Sequence, residues 1–427
     1  MRARLLWLEP GWLLCLAPLV LLPGRFLPTA WQPFVVLALF AGWPLRWLAT
    51  RRLLPPAPLH GALTVLLLWL PVNLWAAVDQ VVAWQTAGYL LLGVAFYGAA
   101  IAWPPLQRRP AALAWLLVAL AAGLALLGPL LATQEVAWPL LAPLQQAAAP
   151  LTARLGETIN PNILAGAIVV LLPLILALAV TRSDAGSWRP TPLLRGLLLL
   201  LAALIVAISA LAASRGALIA VAAGVIVVLW LRWPRLGWLL PLLLAAAGAF
   251  FWLGPETLLD QMGSGGAVGG LAERLEIWSR ALYALQDFSF TGVGLGAFNQ
   301  VIPLLYPYFL IPPSVDIPHA HNLVLQVGVD LGVPGLVAWL AILLTVFVQL
   351  GVTLHRRRGG LSTALAAGVL GGLVAMLAHG LLDAPLWGTK LAFLPWLLFA
   401  LAVLAANQAA EQTSEAPAGR NDSTTDK

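Results

Sequence analysis

LLRGLLLLLAALIVAISALAASRGALIAVAAGVIVVLWL, residues 193–231, carries only two charged side chains, Arg195 and Arg215. A helix rising 1.5 Å per residue needs about 20 apolar residues to cross about 30 Å of hydrocarbon. This run is about twice that length, and only Ser214-Arg215-Gly216 interrupts it. The stretch therefore reads as two membrane spans, 193–213 and 216–231, joined by almost no loop. Working outward, comparable runs lie at roughly 5–22, 31–49, 59–78, 81–102, 111–131 and 162–180 on one side. On the other they lie at roughly 236–253, 323–350, 362–382 and 390–406. The expectation is an all-α polytopic membrane protein with about twelve transmembrane helices. Composition agrees: 9% of the chain is charged, against about 25% in soluble domains, so lipid must be its main solvent.

The basic residues fall in small groups between apolar runs, which is no nucleic-acid footprint but is the pattern that fixes orientation in a bilayer. With the N-terminus in the cytoplasm and spans alternating, 17 of the 23 Lys and Arg fall on the cytoplasmic side. Arg25, Arg154, Arg215, Arg274, Arg280 and Lys390 remain outside. Residues 1–406 then form one transmembrane domain, with 254–322 as a large extracytoplasmic loop and 407–427 as a disordered cytoplasmic tail. Within the loop, Gly-rich 263–270 reads as a linker. Residues 271–287 read as an amphipathic helix with Leu271, Leu275, Trp278, Leu282 and Leu285 on one face, suited to a membrane surface. The single cysteine, Cys15, excludes a disulfide framework and a cysteine metal site.

The outside arginines need reasons. Arg25 and Lys390 sit at span ends, where snorkelling accounts for them, and Arg280 falls on the polar face of the amphipathic helix, open to solvent. Arg215 stands between two spans, and an Arg at a helix centre in the bilayer costs about 2.5–3.5 kcal/mol or more. Arg154 precedes Asn160-Pro161-Asn162, and Arg274 lies one turn before Trp278. Interfacial anchoring, or pairing with Glu157, Glu273 or Glu276, would explain them. So would a bound pyrophosphate, since guanidinium offers paired planar donors to phosphate oxygens. His319-Ala320-His321-Asn322 closes the loop. His-x-His is short of ligands for zinc, and nearby Asp316 completes no metal spacing, so no metal is expected. A neutral histidine at an interface suits a general base; a helix-start hydrogen bond is the plainer alternative. His379 and Asp383, four apart, either orient His321, bind sugar, or form a structural pair.

His321-Asn322, nine residues and then Gly332-Val333-Pro334-Gly335 resemble the His-Asn-x9-Gly-x-x-Gly pattern of the O-antigen ligase family. Three further segments are similar to that family's elements. They are Gly156-Glu157-Thr158-Ile159-Asn160-Pro161-Asn162, Ser214-Arg215-Gly216-Ala217, and the loop from Arg274 and Trp278 through Thr291–Gly296 to Phe298. Glu157-Thr158-Ile159 departs from the commoner Gly-Thr-Phe. The resemblance covers residues 150–385 and implies a GT-C-like glycosyltransferase without cofactor or metal. The donor it implies is a glycan on undecaprenyl pyrophosphate, and the acceptor a glycan, lipid or protein hydroxyl. It further implies that His321 is the base and that Arg154, Arg215 and Arg274 hold the pyrophosphate. His319, Asn322, Asn160, Asn162, Trp278 and Asp383 would complete the site. A ligase, an O-antigen-type polymerase and a protein O-oligosaccharyltransferase share these motifs. Twelve spans also suit a secondary transporter, but no internal repeat is visible, and transporters usually place their polar residues at the midplane. An assembly protein without turnover would assign no role to His321 or the arginines.

Overall fold

The computed structural model describes residues 7–132, 142–155, 158–181, 189–212, 214–238, 270–356 and 360–414. All regular elements among them are helical. In chain order they are α1 (Leu8–Leu21), α2 (Gln32–Ala38), α3 (Gly42–Thr50), α4 (His60–Ala76), α5 (Gln80–Ala102), α6 (Pro104–Arg108) and α7 (Ala111–Leu127). Then come α8 (Ala142–Leu155), α9 (Pro161–Val169), α10 (Leu172–Val180), α11 (Pro192–Leu211), α12 (Arg215–Arg232), α13 (Leu271–Asp287) and α14 (Phe298–Leu305). The chain ends with α15 (Leu323–Arg356), α16 (Gly360–Gly380) and α17 (Leu394–Ser414), with short 3₁₀ turns between.

Among the described residues, nine helical segments are long and apolar enough to cross a membrane, and α1 and α4 are shorter apolar helices. These eleven correspond to eleven of the twelve expected spans. The remaining one, 236–253, falls almost wholly outside the described residues, as does most of the Gly-rich 263–270 segment. Some expected spans are broken. Thr29–Thr50 consists of a 3₁₀ turn, α2 and α3, and Pro161–Val180 consists of α9 and α10, with Pro173 at the start of α10. Proline lacks the N–H and crowds the preceding turn, so a helix restarts there.

Helices α12 and α16 approach closely because their facing positions are glycine. A side chain at Gly224 would come within 3.2 Å of the Gly371 carbonyl oxygen, and one at Gly371 within 3.1 Å of the Gly224 carbonyl oxygen. Without a hydrophobic force between helices in lipid, such small-residue faces let backbones pack. At the far end of α10, Arg195 donates to the Ala179 carbonyl (3.1 Å) and Arg232 to that of Val180 (2.9 Å). These guanidiniums satisfy carbonyls that a helix C-terminus leaves open.

Three expectations are corrected. The tail does not start at Asn407, because α17 runs to Ser414 through the helix formers Ala409, Ala410, Glu411 and Gln412. Arg46, one of the basic residues counted with Arg51 and Arg52 on the cytoplasmic side, is no loop charge: it is buried in a bidentate pair with Glu9 of α1 and donates to the Leu53 carbonyl. Arg280 is not open to solvent. It pairs with Glu276 (3.2 Å), donates to the Pro307 carbonyl and lies over the Phe309 ring. Glu276 in turn accepts from the Phe309 and Leu310 N–H groups, so this pair pins the 306–310 loop. On α13, Ile277, Ala281 and Ala284 are buried, while Leu275 and Leu282 of the expected apolar face remain exposed. Small residues face inward because the helix packs closely on the protein, leaving the leucines for an apolar surface outside it.

The charge asymmetry predicts that Ser314, which is exposed, lies opposite the cytoplasm. In a Cys15→Ser background, Ser314→Cys should label with an impermeant thiol reagent on intact cells. A correctly inserted protein that labels only after the cells are opened would reverse the orientation.

Candidate active site

The His-Asn-x9-Gly-x-x-Gly segment folds as two pieces. Asn322 caps the start of α15, its side-chain oxygen accepting from the Leu325 N–H (3.1 Å), while its amide donates to the Leu381 carbonyl (3.3 Å). After nine intervening residues the helix breaks at Gly332, with φ +69° and ψ 179°. A side chain there would meet the Phe290 carbonyl oxygen at 2.2 Å, and one at Gly292 (φ +70°) would meet that of Val329 at 2.5 Å. The two glycines thus let the 289–296 loop lie directly on α15. Val293 N–H to Val329 O (2.8 Å) and Val333 N–H to Ser289 O (2.7 Å) join the two.

Just before α15, His321 adopts φ +47°, a left-handed conformation uncommon outside glycine. Its N–H donates to His319 Nδ1 (3.2 Å), and the two rings sit edge to face with centroids 4.3 Å apart. Since His319 Nδ1 accepts, its ring proton belongs on Nε2, which faces Asp383 Oδ1 at 3.4 Å. His321 Nδ1 faces the same oxygen at 3.5 Å, beyond hydrogen-bond geometry, and has no hydrogen-bond partner among the described residues. The two histidine side chains keep 20% and 17% of their surface exposed, and Asp383 only 5%. The buried carboxylate is therefore screened while both imidazoles remain reachable.

Asp383 follows the end of α16. Its backbone N–H bonds the His379 carbonyl (3.0 Å), and its Oδ1 accepts from the Ala384 N–H (2.7 Å). Its Oδ2 accepts from the Asn162 amide, whose oxygen accepts from the Ser214 hydroxyl. Asn162 is held because Asn160 caps α9 by accepting its N–H (2.8 Å), and Ser214 caps α12 by accepting from Ala217 (3.2 Å). The three polar motifs thus meet at one carboxylate. Burial would raise the Asp383 carboxyl, but His319, His321 and His379 around it hold it well below the usual carboxylate range. Burial pushes His319 down to about 4, with His321 and Arg274 adding to the effect and Asp383 opposing it.

Arg274 of α13 donates to the Leu382 carbonyl, beside Asp383. Burial lowers its value, Asp383 offsets this, and the nearby charge of Arg215 lowers it further. Arg215 and Arg274 are therefore brought together, and Arg274 forms no ion pair with Glu273 or Glu276 among the described residues. One turn on, the Trp278 indole N–H is buried without an acceptor among the described residues. The backbone of Arg154 lies in α8; its side chain and Glu157 fall outside the described residues. His379 does not orient His321. Its ring is buried against Gly166 and Gly216, and neither nitrogen finds a hydrogen-bond partner among the described residues.

His319, His321 and Asp383 place three donor atoms within 4.8 Å of one another, a set that could hold a cation. Two features oppose it: Arg274 stands beside Asp383, and the ring proton of His319 occupies Nε2. Asp316 takes no part; it lies 3.4 Å from the Asn299 amide. The residues missed from sequence are Asn73, Gln326, Asp330 and Trp387, all buried behind the histidine loop. An acid four residues after a glutamine inside an apolar run was the available signal.

Residues 197–340 match the family model for O-antigen ligase. The matched segment contains Arg215, Arg274, Trp278, His319, His321 and Asn322, and it supports the O-antigen ligase-like family that the motifs resemble. With the apolar helices it supports a multi-pass membrane enzyme of O-antigen ligase or polymerase type. No curated protein matches the chain.

The low His319 value predicts acid sensitivity. Unfolded His319 takes up a proton near its ordinary 6.5, but the folded ring does so only near 4. Its contribution to stability is complete above about pH 6.5 and is lost as pH falls towards 4. The melting temperature in detergent should fall between pH 7 and 5, and His319→Gln should flatten that dependence. An equally steep fall in the variant would show that other groups carry it.

Proposed function

We propose that this chain transfers a glycan from an undecaprenyl-pyrophosphate carrier to an acceptor hydroxyl, on the membrane face opposite the cytoplasm. The observation that carries this reading is the carboxylate oxygen shared between His321 and His319, with Arg274 beside it. Asp383 favours the His321 tautomer with the proton on Nδ1, leaving Nε2 basic. Nε2 takes the proton of the acceptor hydroxyl as its oxygen bonds to the anomeric carbon. The bond from that carbon to the pyrophosphate oxygen breaks, and the electron pair leaves with the pyrophosphate. Arg215 and Arg274, with Arg154, receive the leaving charge; a hydrogen bond to a charged group contributes about 1.5–3 kcal/mol. One base without a carboxylate nucleophile gives a single displacement with inversion, by analogy with inverting glycosidases. Pyrophosphate is a good leaving group, so neither a general acid nor a metal is invoked. This is the chemistry of a GT-C-like fold in the inner membrane. The acceptor hydroxyl belongs to lipid-anchored glycan in the ligase reading, to a growing glycan in a polymerase, and to a protein side chain in an O-oligosaccharyltransferase. A transporter is less well supported, because His321 precedes α15 and Asp383 follows α16, at helix ends rather than mid-span.

His321→Ala should insert, fold and bind the lipid-pyrophosphate donor, yet lose about 10²–10⁴-fold in turnover, the usual range for a general base. His319→Ala should lose less, and chelators should have no effect. Near wild-type transfer by His321→Ala would remove the base assignment.

For the anion site, Arg215→Ala should reduce transfer strongly and Arg215→Lys recover part, because a point charge keeps the attraction but loses the paired donors. Arg25→Ala should change little. Equal losses at Arg25 and Arg215 would indicate a folding defect instead.

A further inference from the structure

Asp330 is an ionisable residue inside an apolar helix, only 1% exposed, and the chemistry above does not use it. Such a residue is costly in a membrane and needs a reason. Its carboxylate accepts from Trp387 Nε1 (2.8 Å) through Oδ2 and from Gln326 Nε2 (2.9 Å) through Oδ1, and the backbone of Gly296 also bonds it. Gln326 then turns its own oxygen to the Ala320 N–H (2.7 Å), the amide between the two histidines. Asn73 of α4 donates to the Asp330 carbonyl and to that of Thr291 (2.8 Å). One carboxylate thus joins the 289–296 loop, the segment after α16, the histidine loop and, through the backbone, α4.

The geometry points to Asp330 and Gln326 as positioning residues for His321: a two-link hydrogen-bond relay that holds the Ala320 amide and with it the left-handed turn at His321. This rests on His321 being the base, but the relay itself can be tested without turnover. The direction of each bond matters. A carboxylate at 330 only accepts, so the Gln326 amide must point its N–H toward Asp330 and its oxygen toward Ala320. If Gln326 flipped, two acceptors would face each other at one end and two donors at the other. A left-handed non-glycine residue is strained and persists only when its surroundings fix it. The relay supplies that fixing from the buried side of the loop.

The polarity gives a test that composition or volume alone would not pass. Asp330→Asn presents an N–H₂ toward either the Trp387 or the Gln326 donor, so one bond is lost. Turnover should fall about 10- to 100-fold, the loss expected for one hydrogen bond to a charged group, with donor binding unchanged. Amide exchange in the peptide spanning Ala320 and His321 should speed up. Adding Gln326→Glu to Asp330→Asn reverses the middle bond and keeps the Trp387 and Ala320 partners. The carboxylate introduced at position 326 accepts from the Ala320 N–H and from the amide introduced at position 330, whose oxygen accepts from Trp387. The double variant should recover slow exchange at Ala320 and most of kcat, whereas Gln326→Glu alone sets two carboxylates together and should recover neither. Unchanged exchange in Asp330→Asn, or a double variant no better than the worse single one, overturns the relay. Restored exchange without restored kcat overturns the positioning of His321. A wild-type protein that transfers no glycan sinks the proposed function, while the exchange measurements still decide the relay.

Discussion

A carboxylate buried in protein must be compensated by charge and hydrogen bonds, and the site is arranged around this need at Asp383. Asn162, the Ala384 N–H, two imidazoles and the charge of Arg274 all turn toward it. They come from the start of α9, the turn after α16, the histidine loop and α13. Compensation thus depends on how these elements pack. Glycine makes the packing possible: a side chain at Gly166 would strike Pro385 at 2.4 Å, two residues beyond Asp383. The charge sets the site's chemistry, and the small residues set whether that charge can be met.

Much of the fold was legible because lipid imposes a length and a composition on every span, and both are visible in sequence. Breaks were less legible. Pro173 in the first turn of α10 and Pro44 in the first turn of α3 mark both, but membrane helices also tolerate proline without breaking. The twelve-span count itself depends on 236–253, which lies almost wholly outside the described residues. Arg46 shows a different limit. A loop arginine and one buried against Glu9 of α1 look alike until the 37-residue separation closes.

For the site, the histidines, Asn162, Arg215 and Arg274 were legible through residue type and motif order, whereas their meeting point was not. Helical spacing pairs Asp383 with His379, but it describes neighbours within one helix only. In three dimensions the carboxylate leaves α16 and meets His319 and His321, which lie in another loop far earlier in the chain. Arg274 and Arg280 lie in the same helix yet meet different fates. Glu276 is four residues before Arg280, close enough on the helix to pair. Arg274 is left for Leu382 and Asp383. Spacing correctly explains the first and says nothing of the second.

Two histidines share one carboxylate oxygen, and hydrogen bonding separates their roles. In His319 both ring nitrogens are committed: Nδ1 accepts from the His321 backbone, and the proton on Nε2 faces Asp383. No lone pair remains to receive a proton from a substrate. In His321 only Nδ1 faces Asp383, so a proton there leaves Nε2 with its lone pair. The same backbone N–H that occupies His319 also helps fix the left-handed turn of His321. One hydrogen bond therefore keeps the first histidine from acting and aims the second. The carboxylate alone would stabilise either ring as a cation, and the loop geometry decides which ring can use it.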